Sequence, residues 1–277
     1  MDITTCYVGQ GDLAVVRHNG EAVIIDTHFP DSIDGGQASI EAKITRLLKG
    51  HRLSGLILTG FDSDHCHPEG VEMILTNHEP DWVMYPKVYK ETDCADAVFS
   101  TIDRHVNRRK TTNRPLRRVS VRLGNAQARA IDDLSQQFSF ELFSPHMDDV
   151  DHSNNSSIVL RMEGLGETGF SYFVTGDTEY ERWTRINEIF GAYLKSDVLS
   201  AAHHGSHSGA HAETILHVNP NTVLISAGVD SQYDHPHTQA VRAYSRVAKH
   251  VFATNVEGGV SLFTKRKGDD FETLLVR

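Results

Sequence analysis

Four clusters of aspartate and histidine in this chain each follow directly on a short β-type run, and that placement limits the possible folds more than any other feature. The run 56–59 leads into Asp62, Asp64, His65 and His67, and the run 172–174 leads into Asp177. The run 198–202 leads into His203, His204 and His207, and the run 223–226 into Asp234, His235 and His237. Strand ends that share one edge of a sheet converge in space, so positions far apart in the chain can build one site there. Among 17 histidines some belong on the surface, but clustering with carboxylates points to a metal.

The remaining pattern supplies sheets for those ends. β-Rich runs at 3–8, 13–18 and 22–26 are separated by the turn signals GQGD and HNG. Residues 38–49 carry Ile40, Ile44, Leu47 and Leu48 at helical spacing, and helices are also expected over 69–77 and 93–104. A strand at 82–85 should stop at Pro86. The second half repeats the style, with strands at 138–143, 158–162, 251–253, 260–263 and 273–276 and helices at 179–190 and 238–247. Two β-rich halves flanked by helices fit two stacked sheets covered outside by helices. No linker cuts the chain, so residues 1–277 are expected to form one domain.

The formal net charge of −10 argues against a dedicated nucleic-acid binder. Yet nine basic residues, among them Arg108, Arg109, Arg117 and Arg118, crowd a stretch from Arg104 to Arg129 that holds no acid. It reads either as a solvated basic insertion or mobile loop at about 104–130, or as a polyanion-binding edge beside the active site. Cys6, Cys66 and Cys94 are odd in number and lack CxxC spacing, which fits reduced thiols in a cytoplasmic protein. No signal peptide is expected from the start of the sequence, and no apolar run is long enough to span a membrane.

A mixed Asp/His shell suits Zn²⁺, Mn²⁺ or Fe²⁺, since imidazole is a borderline ligand and carboxylate a hard one. Such a cation lowers the pKa of bound water and makes a hydroxide nucleophile available near neutral pH. Asp177 can bind or bridge metal while compensating its charge.

The motifs in order are VGQGD (8–12), IIDT (24–27), TGFDSDHCHPEG, NNSSIVLRME (154–163), VTGDTE, SDVLSAAHHGS, the His-Pro at 235–236 and NVEGGVSLF (255–263). Nearly end to end, the chain resembles the metallo-β-lactamase superfamily, and within it the hydrolase domains of ComEC-type competence channel proteins. That resemblance implies a four-layer αββα sandwich and one or two Zn²⁺ or Mn²⁺ ions. It implies metal ligands at Asp62, Asp64, His65, Asp177 and His204, with His204 favoured over His203, and a ligand or phosphate contact at His235.

The sequence departs from the family pattern at Gly60, where the leading histidine should stand, and at Asn154 and Asn155, where no third histidine of the first metal site is found. One metal site (Asp64, His65, Asp177, His204) therefore reads as complete and the other as depleted, with His28 or His67 as candidate relocated ligands. The expected activity is metal-dependent phosphodiester hydrolysis, as a phosphodiesterase or nuclease. Asp62 or Asp64 would orient water, and His203 or His235 would contact phosphate or protonate the leaving oxygen. A nucleic-acid substrate would be held by Arg108, Arg109, Arg117 and Arg118. Two readings stay open beside it: a lactone, ester or thioester hydrolase, and a degenerate non-catalytic metal-binding domain.

Overall fold

A computed structural model describes residues 1–124, 127–147 and 153–277. Alternate residues of its strands face two different apolar layers. In β2 (Ala14–His18) Ala14 and Val16 face one apolar layer while Val15 faces another, and in β3 (Glu21–Ile25) Val23 and Ile25 oppose Ala22 and Ile24 in the same way. A strand buried on both faces reads as a continuous apolar run, which is how these segments look in sequence.

Among the described residues the strands form two sheets. The first joins β1 (Asp2–Thr5), β2, β3, β4 (Arg52–Ile57), β5 (Trp82–Pro86), β6 (Arg117–Val121), β14 (Ser261–Lys267) and β15 (Asp270–Val276) in the order β15-β14-β1-β2-β3-β4-β5-β6. The second is built from β7 (Arg129–Ile131), β8 (Phe138–Ser144), β9 (Val159–Gly164), β10 (Ser171–Val174), β11 (Val198–Ser200), β12 (Thr222–Ile225) and β13 (His250–Ala253) in the order β13-β12-β11-β10-β9-β8-β7. One core lies between them, where Ile3, Val16 and Trp82 of the first sheet meet Phe140, Leu160 and Tyr172 of the second.

The outer faces are closed by helices. α1 (Gly36–Leu48), α2 (Pro68–Asn77) and α3 (Asp93–Arg109) cover the first sheet, and α4 (Tyr180–Phe190), α5 (Ala212–Val218) and α6 (Thr238–Ser245) cover the second. The result is the αββα sandwich. Local signals set the helix ends: Pro68 opens α2, and Thr92 caps α3 by accepting from the Ala95 amide at 3.1 Å. β3 to β6 run parallel, as do β10 to β13, so each set sends its carboxyl ends one way. Clefts beyond such ends are where open α/β sheets bind ligands.

One expectation changes. The basic stretch is not an insertion loop: α3 continues to Arg109, and β6 pairs with β5 as the edge of the first sheet. Val119, Val121 and Leu123 alternate with Ser120 and Arg122 and turn towards the core between the sheets, while the arginines suit an exposed edge. Positions 125–126 of that stretch lie outside the described residues. α5 is capped by His211, which accepts from the Thr214 amide and is not among the residue types that usually announce a helix start. No helix among the described residues is long and apolar enough to cross a membrane.

Gly55 in β4 shows how tightly its neighbour on β5 is packed. A Cβ there would lie 2.0 Å from the Trp82 ring, whose indole nitrogen donates to the Leu134 carbonyl at 2.7 Å. Gly55→Ala is expected to destabilise the fold by about 2 kcal/mol or more through overpacking, read from chemical denaturation midpoints, and Trp82→Phe in the same chain should recover part of the loss. Equal midpoints for Gly55→Ala and the native chain would contradict this packing.

Candidate metal centre

The site is built around Asp26, the residue that follows β3. Its buried carboxylate accepts from the Thr59 amide (2.7 Å), the Thr59 hydroxyl (2.6 Å) and His65 Nδ1 (2.9 Å). A carboxylate can only accept from a neutral imidazole nitrogen that bears a proton, so His65 carries hydrogen on Nδ1 and turns Nε2 inward. That Nε2 lies 2.7 Å from Asp177 Oδ1.

His204 is oriented by the same logic from the second sheet. Its Nδ1 donates to the Ser226 carbonyl at 3.1 Å, and Nε2 faces Asp64 Oδ2 at 3.4 Å and Asp177 Oδ1 at 3.7 Å. The turn that brings it there places both His203 (φ 51°) and His204 (φ 54°) in the left-handed region. For residues other than glycine this costs about 1–3 kcal/mol each, and such strain gathers at functional sites. Bonds from His203 N to the Gly176 carbonyl (3.0 Å) and from Ser206 N to the His203 carbonyl (2.7 Å) hold the turn.

Asp12 and Asp177 complete the set. Asp12 N donates to the Asp64 carbonyl (2.8 Å) and the Asp12 carbonyl accepts from His28 N (3.0 Å), which locks the GQGD turn onto the loop after β4. Gly11 makes this approach possible, since a Cβ there would sit 2.6 Å from the Asp64 carbonyl oxygen and 2.3 Å from the His28 ring. Ligand atoms of Asp12, His65, Asp177 and His204 lie within 4.8 Å of one another, the one such group of three or more among the described residues.

His65 Nε2, His204 Nε2 and Asp177 Oδ1 are buried and make no hydrogen bond. In the neutral rings two imidazole lone pairs and a carboxylate face one another, a costly arrangement unless a proton or a metal cation is shared between them. The donor set fits a borderline divalent ion. Protons are the cation's competitors. Burial works against charge on His204, yet Asp177 and Asp12 outweigh it and raise its pKa to about 9; His65 is raised well above its ordinary value, burial again being outweighed by Asp177 and Asp26. Burial opposes charge on Asp177 too, but His65 and His204 hold its carboxyl well below the usual range, while burial raises that of Asp12.

Above the cluster opens a cleft of about 550 Å³. Asp62, Asp64, His203, His235 and His28 all line it. Asp62 stands outside the four-residue group and accepts from Ser153 Oγ at 2.6 Å. His203 Nε2 lies 3.8 Å from Asp177, with Nδ1 3.1 Å from Glu179. His235 is oriented the opposite way to the two buried histidines. Gly228 N donates to Gln10 Oε1 (3.1 Å), which fixes that amide so that Gln10 Nε2 donates to His235 Nδ1 (3.2 Å). Neutral His235 therefore bears hydrogen on Nε2 and is a donor into the cleft; burial, then the charges of His204 and His203, lower its pKa to about 4.

His28 donates from Nδ1 to the Ser63 carbonyl (3.0 Å), and among the described residues neither it nor His67 joins a compact metal-holding group. A Cβ at Gly60 would touch only Ser157 Oγ, at 3.9 Å, so nothing fills the space of the side chain missing there. Asp12 and Asp26 were the residues sequence reasoning passed over, although both follow β-type runs as the chosen clusters do. Arg108, Arg109, Arg117 and Arg118 do not line the cleft. Arg109 is 3% exposed and spends its guanidinium on the Pro80 and Arg114 carbonyls, which corrects its expected contact with nucleic acid. Arg117 stands beside Trp82 at the opening end of β6, whereas the cluster lies beyond the closing ends of β3 and β4.

The chain has the αββα sandwich fold of the metallo-β-lactamase type, with a candidate centre for a divalent cation at the strand ends. No family model matches it. It is similar to ComE operon protein 3 of Bacillus subtilis (strain 168), at 28% identity over 280 residues, covering 95% of this chain and 33% of that protein. It is also similar to Recombination protein 2 of Haemophilus influenzae, at 26% identity over 260 residues, covering 93% of this chain and 28% of that protein. The chain thus spans about a third of the length of the curated relatives it matches, and these relatives bear the ComEC-type resemblance read from the sequence. The solved structure of Igni18, a metallo hydrolase from Ignicoccus hospitalis, shares the fold with a TM-score of 0.54 at 14% identity, covering 96% of this chain and 100% of that one.

The raised pKa values of His65 and His204 set the sign of a pH test. In metal-free protein their protonated forms add stability that is complete below the ordinary histidine value of about 6.5; the His204 share is lost as pH rises through about 9, and the His65 share is lost well above the ordinary value. Metal binding displaces those protons, so metal-loaded protein should gain stability over the same range. Thermal unfolding with and without Zn²⁺ between these pH values should show opposite slopes; parallel slopes would contradict the assignment.

Proposed function

We propose that this chain is a divalent-metal-dependent hydrolase of phosphodiesters. The observation that carries the reading is the convergence of His65 Nε2 and His204 Nε2 on the Asp177 carboxylate beneath an open cleft. Asp12, His65, Asp177 and His204 would hold a divalent cation, which would supply Lewis acidity and lower the pKa of water there. Asp64, at the cleft floor beside His204, and Asp62, fixed by Ser153, are placed to accept hydrogen bonds from an attacking water. His235 donates from Nε2 to a phosphoryl or leaving-group oxygen, and it does so while neutral, so this contact persists at neutral pH. His203, backed by Glu179, is the second candidate for that contact. The single compact group supports one ion per chain, Zn²⁺ or Mn²⁺.

Names in competence and recombination among the relatives favour a nucleic-acid diester over a lactone or thioester. Arg108, Arg117 and Arg118, exposed but outside the cleft lining, are positions where a strand running on from the cleft would be held. The core shared by both sheets supports treating the chain as one domain. The space left open at Gly60 favours a second reading, a metal-binding domain without catalysis.

Hydrolysis of bis(p-nitrophenyl) phosphate and of a simple lactone by metal-loaded protein separates the readings. The expected result is diester hydrolysis that falls roughly a hundredfold or more in Asp177→Ala and about tenfold to a hundredfold in His235→Ala, with metal content kept in His235→Ala. Bound metal with neither substrate turned over would favour the non-catalytic reading.

A further inference from the structure

Three rings form a path from solvent to the metal cluster. Tyr233 lies nearly parallel to His235 (centroids 5.8 Å apart, planes 26° apart), and His235 lies nearly parallel to His204 (6.2 Å, 26°). The inner ring is a buried member of the cluster and the middle ring is held by Gln10. The outer ring is not used by the chemistry above. It is 53% exposed, lines the cleft, and stands on a turn fixed by bonds from Tyr233 N to Ser231 Oγ (3.3 Å) and from Asp234 N to the Ser231 carbonyl (3.0 Å).

A second observation concerns charge. The described residues that line this cleft include Asp62, Asp64 and Asp177 but no lysine or arginine. A polyanion entering it gains nothing from basic walls, so its affinity must come from the cation, from imidazole donors and from contacts with its uncharged parts. A rigid aromatic face at the mouth supplies the last of these, because every nucleobase has a π-face and stacking tolerates any sequence.

We infer that Tyr233 is the stacking platform for the base next to the scissile phosphodiester, which makes single-stranded nucleic acid the substrate class. This rests on the hydrolase reading above and narrows it. In a duplex both faces of each base are already stacked, so a base must be unpaired and splayed to reach Tyr233. The phosphate on the sugar of that nucleotide then falls near His235, one ring further in, and the cation's place lies beyond it beside His204.

The test compares cleavage of a short oligothymidylate with that of an equally long strand of abasic deoxyribose phosphates by metal-loaded protein. Tyr233→Ala should raise KM for the thymidine strand about tenfold to a hundredfold and leave kcat within roughly twofold. Tyr233→Phe should behave as the native chain, and the abasic strand should show the higher KM with the native protein and Tyr233→Ala alike. KM should also vary little with salt, since few phosphates meet basic side chains. An unchanged KM in Tyr233→Ala, or native protein that cuts both strands equally well, overturns the platform while leaving the hydrolase reading intact. Bound metal with neither strand cut overturns both.

Discussion

The carboxylate of Asp26 is the interaction on which the rest of the site depends. With three donors on two oxygens it is fully engaged, and it leaves His65 no choice of which nitrogen faces inward. The Ser226 carbonyl does the same for His204 from the other sheet. Orientation by a hydrogen-bonded neighbour is what turns an imidazole from a surface group into a directed ligand, and losing such a neighbour typically costs tenfold to a hundredfold in metal affinity. Neither neighbour touches the cation's place; both act through the ring they hold.

The sandwich exists to bring these two restraints face to face. Parallel strands in each sheet send their carboxyl ends to the same edge, and the shared core fixes the gap between them. Backbone tolerances at the gap are small. Gly11 and Gly176 sit where a Cβ would press on the Asp64 carbonyl or on Ser157 and Thr59, and His203 and His204 accept left-handed strain to point inward. Such strain persists only because many bonds around it leave the chain no alternative.

Much of this was legible in the sequence. The αββα sandwich follows from apolar runs with polar strand ends, and the four clusters stood out because histidine gathered with aspartate at strand ends is not an ordinary turn signal. Asp12 and Asp26 escaped notice as parts of the centre because aspartate after a strand is also an ordinary turn residue. The partners that separate the two roles, Asp64 and Thr59, lie some fifty and thirty residues further along the chain. β6 was passed over because its short alternation of Val119, Val121 and Leu123 is set among arginines that read as a charged loop. The tautomers of His65, His204 and His235 were out of reach of any sequence pattern, for they depend on which single atom each ring meets.

Opposite tautomers give the histidines different roles. His65 and His204 present lone pairs towards Asp177, and His235 presents a proton towards the cleft. That division is the central claim, and anomalous diffraction at the zinc edge from crystals of metal-loaded protein tests it most directly. The account predicts one peak at about 2.0–2.2 Å from His65 Nε2, His204 Nε2 and an oxygen of Asp177, with His235 outside bonding distance. A peak ligated by His235, or one that leaves His65 or His204 unbound, would contradict it.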